Sequence, residues 1–139
     1  MPSETDYKRA FRASYKGWTS AIEPGRGSDT GAADLLVLVG QRIVPIELKL
    51  GHMHPDGRVT FHSPGIRPAQ VQWHWSLAQA GGFSLLAAGE WDYRAKAWRS
   101  HFFWGENLAD WRNGMVPISD CGMDRLTETV EWLVRSFGN

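Results

Sequence analysis

The stretch Gly31-Ala-Ala-Asp34-Leu-Leu-Val-Leu-Val-Gly40-Gln-Arg-Ile-Val-Pro-Ile-Glu47-Leu-Lys49 decides how the chain folds. Two runs of aliphatic and β-branched residues flank Gly40-Gln41, the pattern of two strands joined by a tight hairpin turn. Side chains alternate faces along a strand, so Glu47 and Lys49 share one face while Leu48 points to the other. Asp34 opens the first strand and can sit beside Glu47. Two carboxylates and one ammonium converging beside a sheet can hold a hard divalent ion and the water it activates.

Outward from this hairpin, Ser3 reads as the cap of a first helix with Asp6 at its third position, where an acid suits the helix dipole. Tyr7, Ala10, Phe11 and Ser14 recur at helical spacing, and Gly17 closes the helix. Trp18 to Ile22 reads as a short strand, and the Gly-rich segment Gly25 to Gly31 as a loop. Pro45 has no N–H for a ladder, which predicts a bulge or a locally unpaired side. Gly51 to Pro64 reads as a long polar loop. A second helix is expected from Arg67 or Pro68 to Ala80, ended by Gly81-Gly82. Phe83–Ala88 and Ala97–Trp104 read as strands. Met123, Leu126, Val130, Leu133 and Phe137 mark the apolar stripe of a last helix. The order αβββαββα, with no linker or repeat, predicts one α/β domain over residues 1–139, a central mixed β-sheet flanked by α-helices.

Composition narrows the function classes. The 139 residues carry 15 basic and 15 acidic side chains, so the chain is not a bulk polyelectrolyte binder. The charges are unevenly distributed: Lys8, Arg9, Arg12 and Lys16 lie on the first helix, and Arg26, Arg58 and Arg67 on loops near the hairpin. One basic side of a neutral protein can still meet a phosphate backbone. A single cysteine, Cys121, rules out an internal disulfide and fits a reducing compartment. No apolar run is long enough for a membrane span, and the N-terminal residues do not read as a secretory signal. A cytoplasmic location follows, in a bacterial host if the chain is phage-encoded.

The pattern Asp34, Glu47-Leu48-Lys49 resembles the PD-(D/E)XK nuclease superfamily, in which an Asp and a later Glu-x-Lys form a metal-dependent phosphodiesterase site. Ala33 stands where the family usually has Pro. The segment Phe61 to Ala88, with a helix opening near Gln70 and closing at Gly81-Gly82 before an apolar strand, resembles the same region of phage and virus-type repair nucleases and Holliday-junction resolvases. The resemblance covers roughly Gly17 to Ala88. It implies a restriction-endonuclease-like core and a metal-dependent DNA endonuclease, acting on branched or structured DNA as a homodimer. A nicking enzyme or exonuclease of the same fold, or a non-catalytic DNA-binding or inhibitor protein retaining it, are the alternatives.

On this reading Asp34 and Glu47 hold Mg²⁺ or Mn²⁺, since hard oxygen donors select such ions. Lys49 orients the attacking water and stabilises the charge that develops on phosphorus oxygens. Gln70 lies on the apolar side of its helix, so its amide needs a partner: the metal site, as in related nucleases, or local backbone. Glu23, at the end of the first strand, is the preferred further acid, with Glu4 of the first helix its competitor. Arg9, Arg12, Lys16, Arg26 and Arg67 are the expected DNA contacts. His52, Met53 and His54, with His62, suggest either a DNA contact or loop solvation, and zinc only remotely because no Cys is near.

Overall fold

The computed structural model describes residues 2–22 and 31–137. Helix α1 (Glu4–Ser14) starts in a capping box: Asp6 N–H donates to Ser3 Oγ, and Ser3 N–H donates to Asp6 Oδ2 at 2.8 Å. Its buried residues, Tyr7 and Phe11, are four apart and so lie on one face. Strands β1 (Thr19–Ala21), β2 (Leu35–Val39) and β3 (Arg42–Met53) follow in antiparallel succession. The expected hairpin is present, with Val39 opposite Arg42 and Gly40 at φ 61° in the turn, a value glycine adopts without strain.

Pro45 sits opposite Leu36 in unbroken register, so no bulge forms. Pairing of β3 with its other neighbour begins only at Ile46, and Pro45 is therefore unpaired on that side, where its missing N–H does no harm. The polar loop expected from Gly51 onward is shorter than its composition suggests. Strand β3 runs on to Met53, and β4 (Val59–Phe61) folds back antiparallel on residues 51–53. The turn between them is local: His54 N–H donates to the Arg58 carbonyl, and Gly57 N–H to that of His54.

Helix α2 (Pro68–Gln79) then crosses to β5 (Leu85–Asp92), which pairs parallel to β3. A parallel neighbour requires such a crossover. Strand β6 (Ala97–Trp104) returns antiparallel, and β7 (Ser119–Gly122) completes the sheet. The result is a mixed seven-stranded sheet in the order β1-β2-β3-β5-β6-β7, with β4 paired to β3. Between β6 and β7 lies a 3-10 segment, Gly105–Asn113, and the chain ends in helix α3 (Leu126–Phe137). These strands and helices form an α/β fold with a central mixed sheet flanked by helices, as expected.

The sheet is covered on both faces. On one, Tyr7 and Phe11 of α1 and Leu126, Val130 and Leu133 of α3 pack on Leu35, Val37, Ile46, Leu48 and Phe102. On the other, Ile66, Val71 and the 3-10 segment, through Leu108 and Trp111, pack on Leu86, Ala88 and Phe103. Glu47 and Lys49, alternating with Ile46 and Leu48, fall on the second face. No helix of the described residues is long and apolar enough to cross a membrane.

Candidate active site

Register brings the acids together. The β2–β3 ladder pairs Leu35 with Ile46, and one step further sets Asp34 across from Glu47. Cross-strand neighbours lie on the same face of a sheet, and the two carboxyls are close enough that each shifts the ionisation of the other. Asp34 is anchored twice: Leu48 N–H donates to its Oδ2 at 2.9 Å, and Lys8 Nζ donates to its Oδ1 at 3.0 Å. Glu47 is almost wholly buried, at 1 % exposure. Lys49, half-buried on the same face, is close enough for its charge to favour the Glu47 anion.

The electrostatics are asymmetric. Burial, the Asp34 hydrogen bond and the Asp34 charge all push the Glu47 carboxyl far above the usual carboxylate range, and Lys49 and Lys8 offset this only in part. Burial would also raise Asp34, but hydrogen bonds from Glu47, Leu48 N–H and Lys8 outweigh it and hold the group below its ordinary value. The pair therefore carries one shared proton and one negative charge, as two adjacent carboxyls in a poorly solvated site must.

Such a pair fits a hard divalent ion. Buried acids kept protonated by one another are released when a cation replaces the proton. One oxygen of Glu47, Oε1, is buried with no hydrogen-bond partner among the described residues. No set of three or more His, Cys, Asp or Glu side chains among the described residues is placed to chelate a metal. An ion here would thus draw on two carboxylates with water and substrate oxygens, the usual habit of Mg²⁺.

The structure brings further residues to this point. Lys8 also lies 3.7 Å from Glu4, one turn earlier on α1, so an ammonium links Glu4 to Asp34. Glu23 and Arg26 lie outside the described residues. Gln70 is buried, and its side-chain oxygen accepts the Arg67 N–H at 2.9 Å, closing the first turn of α2. That turn packs against the loop leading to Asp34. A Cβ at Gly31 would stand 2.0 Å from the Ala69 carbonyl oxygen and 2.7 Å from the Gln70 nitrogen, so only glycine permits the approach. Replacing Gln70 by Leu removes the cap bond, and we expect a loss of about 1 kcal/mol in denaturant unfolding, with Gln70→Glu retaining most of it.

Arg9 and Arg12 are exposed along α1, Arg9 only 3.9 Å from Asp6, whereas Lys16, expected on the same helix, is exposed just beyond it because the backbone turns extended at Tyr15. Arg12 is one turn beyond Lys8, so the basic face of α1 leads away from Asp34. Arg67 is exposed at the start of α2. The histidine segment makes a separate cluster. Glu90 accepts from or pairs with His52 at 2.6 Å and His101 at 3.0 Å, and His54 meets Thr60 at 2.8 Å.

Two residues of the site were not identified as such from sequence, Lys8 and His74. His74 is fully buried on α2 with its Nε2 3.5 Å from Glu47 Oε1. The available signal was the pair Gln70 and His74, four apart on one helix face and both polar where the helix is buried. Comparisons of the chain with known protein families, with characterised proteins and with solved structures find no match.

Proposed function

We propose that this protein is a metal-dependent DNA endonuclease of PD-(D/E)XK type that hydrolyses phosphodiester bonds in branched DNA. The observation that carries the reading is the juxtaposition of Asp34 and Glu47, paired across adjacent strands with a shared proton, and Lys49 on the same face. Asp34 and Glu47 would hold Mg²⁺ or Mn²⁺, which when bound activates water and neutralises charge on the phosphate. Lys49 contributes a fixed positive charge beside Glu47, suited to orient the attacking water and to stabilise the pentacoordinate phosphorus. Lys8, reaching Asp34 from α1, would add a second ammonium beside the metal-holding pair. Glu4, tied to Asp34 through Lys8, is one candidate for a further acid, and Glu23, the acid preferred from the sequence, lies outside the described residues. Gln70 supports the site through the turn that seats the Asp34 loop.

DNA would approach along the basic face of α1, with Arg9 and Arg12, past Lys16 just beyond the helix, and across Arg67. A branched substrate and a homodimer, which would cut two strands symmetrically, are supported by the resemblance to junction resolvases. The direct test is incubation of the purified protein with labelled duplex, flap and four-way junction DNA, with and without Mg²⁺. Cleavage of no structure in Mg²⁺ or Mn²⁺ would sink the reading.

Binding itself gives an independent measurement. Each phosphate neutralised on duplex DNA should contribute about 0.9 to the slope of log affinity against log salt. Half a dozen contacts give a slope of roughly five, and Arg12→Ala or Arg67→Ala should each lower it by about one without changing the preferred DNA structure. Junction binding that ignores salt would exclude α1 as the contact surface.

A further inference from the structure

Two buried polar groups, His74 and Ser84, stand in series behind Glu47 of the carboxylate pair, and the chemistry described so far uses neither. Glu47 on β3, His74 on α2 and Ser84 just before β5 are exposed by 1 %, 0 % and 2 % respectively. His74 Nδ1 is hydrogen-bonded to Ser84 Oγ, and Nε2 lies 3.5 Å from Glu47 Oε1. Nε2 and Oε1 are two of only three buried side-chain polar atoms that lack a hydrogen-bond partner among the described residues, and they face each other. Buried polar atoms without partners are rare and need an explanation.

We infer that His74 is a positioning residue for Glu47: the Ser84 hydroxyl donates to Nδ1, which leaves the imidazole proton on Nε2 and aims that N–H at Glu47 Oε1. This rests on reading Asp34 and Glu47 as the metal-holding pair. The assignment follows from hydrogen-bond capacity. A lone pair on Nε2 would face the lone pairs of a carboxyl oxygen, whereas an N–H there attracts it. With the proton on Nε2, Nδ1 is an acceptor, and Ser84 must be the donor. The other ring nitrogen of a neutral histidine is commonly fixed in this way by its own partner.

Packing holds the chain of groups rigid. Gly105 N–H donates to the Ser84 carbonyl at 2.8 Å. A Cβ at Gly105 would stand 2.0 Å from Ser84 Oγ and 2.9 Å from His74 Nδ1, so the backbone of the 3-10 segment closes directly over the Ser84–His74 bond. The Trp73 and His74 rings meet at an interplanar angle of 78°, with centroids 4.9 Å apart. The Nε2 to Oε1 separation is a few tenths of an ångström beyond an ordinary hydrogen bond of roughly 2.7–3.2 Å. Polar contacts of this length can shorten when the groups they orient engage a ligand. The consequence is a Glu47 carboxylate held from behind in one orientation, with Asp34 beside it.

The test is calorimetric titration of Mn²⁺ into the metal-free full-length protein, with the His74 tautomer read from its imidazole nitrogen chemical shifts. Wild type should bind Mn²⁺ and show the Nε2–H form, and Glu47→Gln should lose binding. His74→Leu should weaken Mn²⁺ affinity by about 10–100-fold, the range for partners that orient metal ligands. His74→Gln, whose amide N–H can stand in for Nε2–H, should recover affinity to within a few-fold of wild type. Ser84→Ala, a small change, should shift His74 toward the Nδ1–H form and weaken Mn²⁺ as well. Melting temperatures, measured alongside, identify a merely structural histidine, for which Leu and Gln variants would melt early alike and bind Mn²⁺ alike. Wild-type affinity in His74→Leu, an Nδ1–H tautomer in wild type, or an unmoved tautomer and affinity in Ser84→Ala overturns the inference and leaves the carboxylate pair in place. If wild type does not bind Mn²⁺, or Glu47→Gln binds it as wild type does, the metal-site reading fails first and the role of His74 goes with it.

Discussion

Glu47→Gln should reduce metal-dependent DNA cleavage by about a thousandfold while raising, at pH 8, the melting temperature of the metal-free protein. The activity loss follows from removing one of two carboxylate donors, since several kcal/mol of transition-state stabilisation depend on the ion they hold and each 1.4 kcal/mol is roughly tenfold in rate. Asp34→Ala should lose cleavage to a similar degree but melt lower, because it frees Lys8 and the Leu48 N–H from their acceptor. The gain in Glu47→Gln has a different origin. The wild-type carboxyl is buried beside another acid and strongly resists ionisation. Glutamine resembles the protonated acid and keeps a group that can hydrogen-bond to Asp34. At pH 8 the gain should be on the order of 1–3 kcal/mol, and it should vanish near pH 4.5. A Gln variant that cuts DNA at the wild-type rate, or melts lower than wild type at every pH, would remove Glu47 from the centre of the site.

The metal-free protein should be most stable on a plateau of about two pH units and lose stability steadily above it. Glu47 has a folded pKa raised above its ordinary 4.5, so its stabilising proton is fully counted below pH 4.5 and is lost as pH rises through the folded value. His74 has a folded pKa lowered from 6.5 to about 4, mainly by burial, with the Asp34 charge opposing. The folded state refuses a proton that the unfolded chain accepts, and stability therefore rises with pH between about 4 and 6.5. Between 4.5 and 6.5 the two slopes oppose each other. Above 6.5 only the Glu47 slope remains, at up to about 1.4 kcal/mol per pH unit. Asp34, held below its ordinary 3.8, matters only as pH falls through that region. Denaturant midpoints at half-unit intervals from pH 4 to 9 would show this shape. A profile that climbs from pH 6.5 to 9 would mean that Glu47 is already ionised in the folded chain. Binding of Mn²⁺ at pH 7 should release a proton, because the cation displaces the one the acids share.

The parts of this site legible in the sequence are those set by local geometry. The two-residue periodicity of a strand puts Glu47 and Lys49 on one face, and a tight turn at Gly40 fixes the register that places Asp34 opposite Glu47. Capping chemistry marked the start of α1 at Ser3, and the apolar stripe marked α3. The polar composition beyond Gly51 predicts a loop where the chain forms a strand pair. Strand pairing depends on the partner that Val59–Phe61 supplies, and a three-residue strand is too short for its apolar alternation to announce it. The 3-10 segment over Gly105–Asn113 and strand β7 also left no periodic signal.

What only the tertiary structure decided is which distant side chains reach the acids. Lys8 looked like one more charge on a basic helix, and it is 26 residues from Asp34, the acid to which it donates at 3.0 Å. Gln70 looked like a misplaced polar residue on an apolar face; its oxygen caps the first turn of α2, and its helix seats the loop before Asp34. His74 and Ser84 are joined through the crossover that makes β5 parallel to β3 and brings both in behind Glu47. Spacing along the chain determines which face a side chain takes, because backbone periodicity is local. Which groups share a buried volume depends on how helices dock on the sheet, and that is set by the sum of many long-range apolar contacts that no single motif encodes.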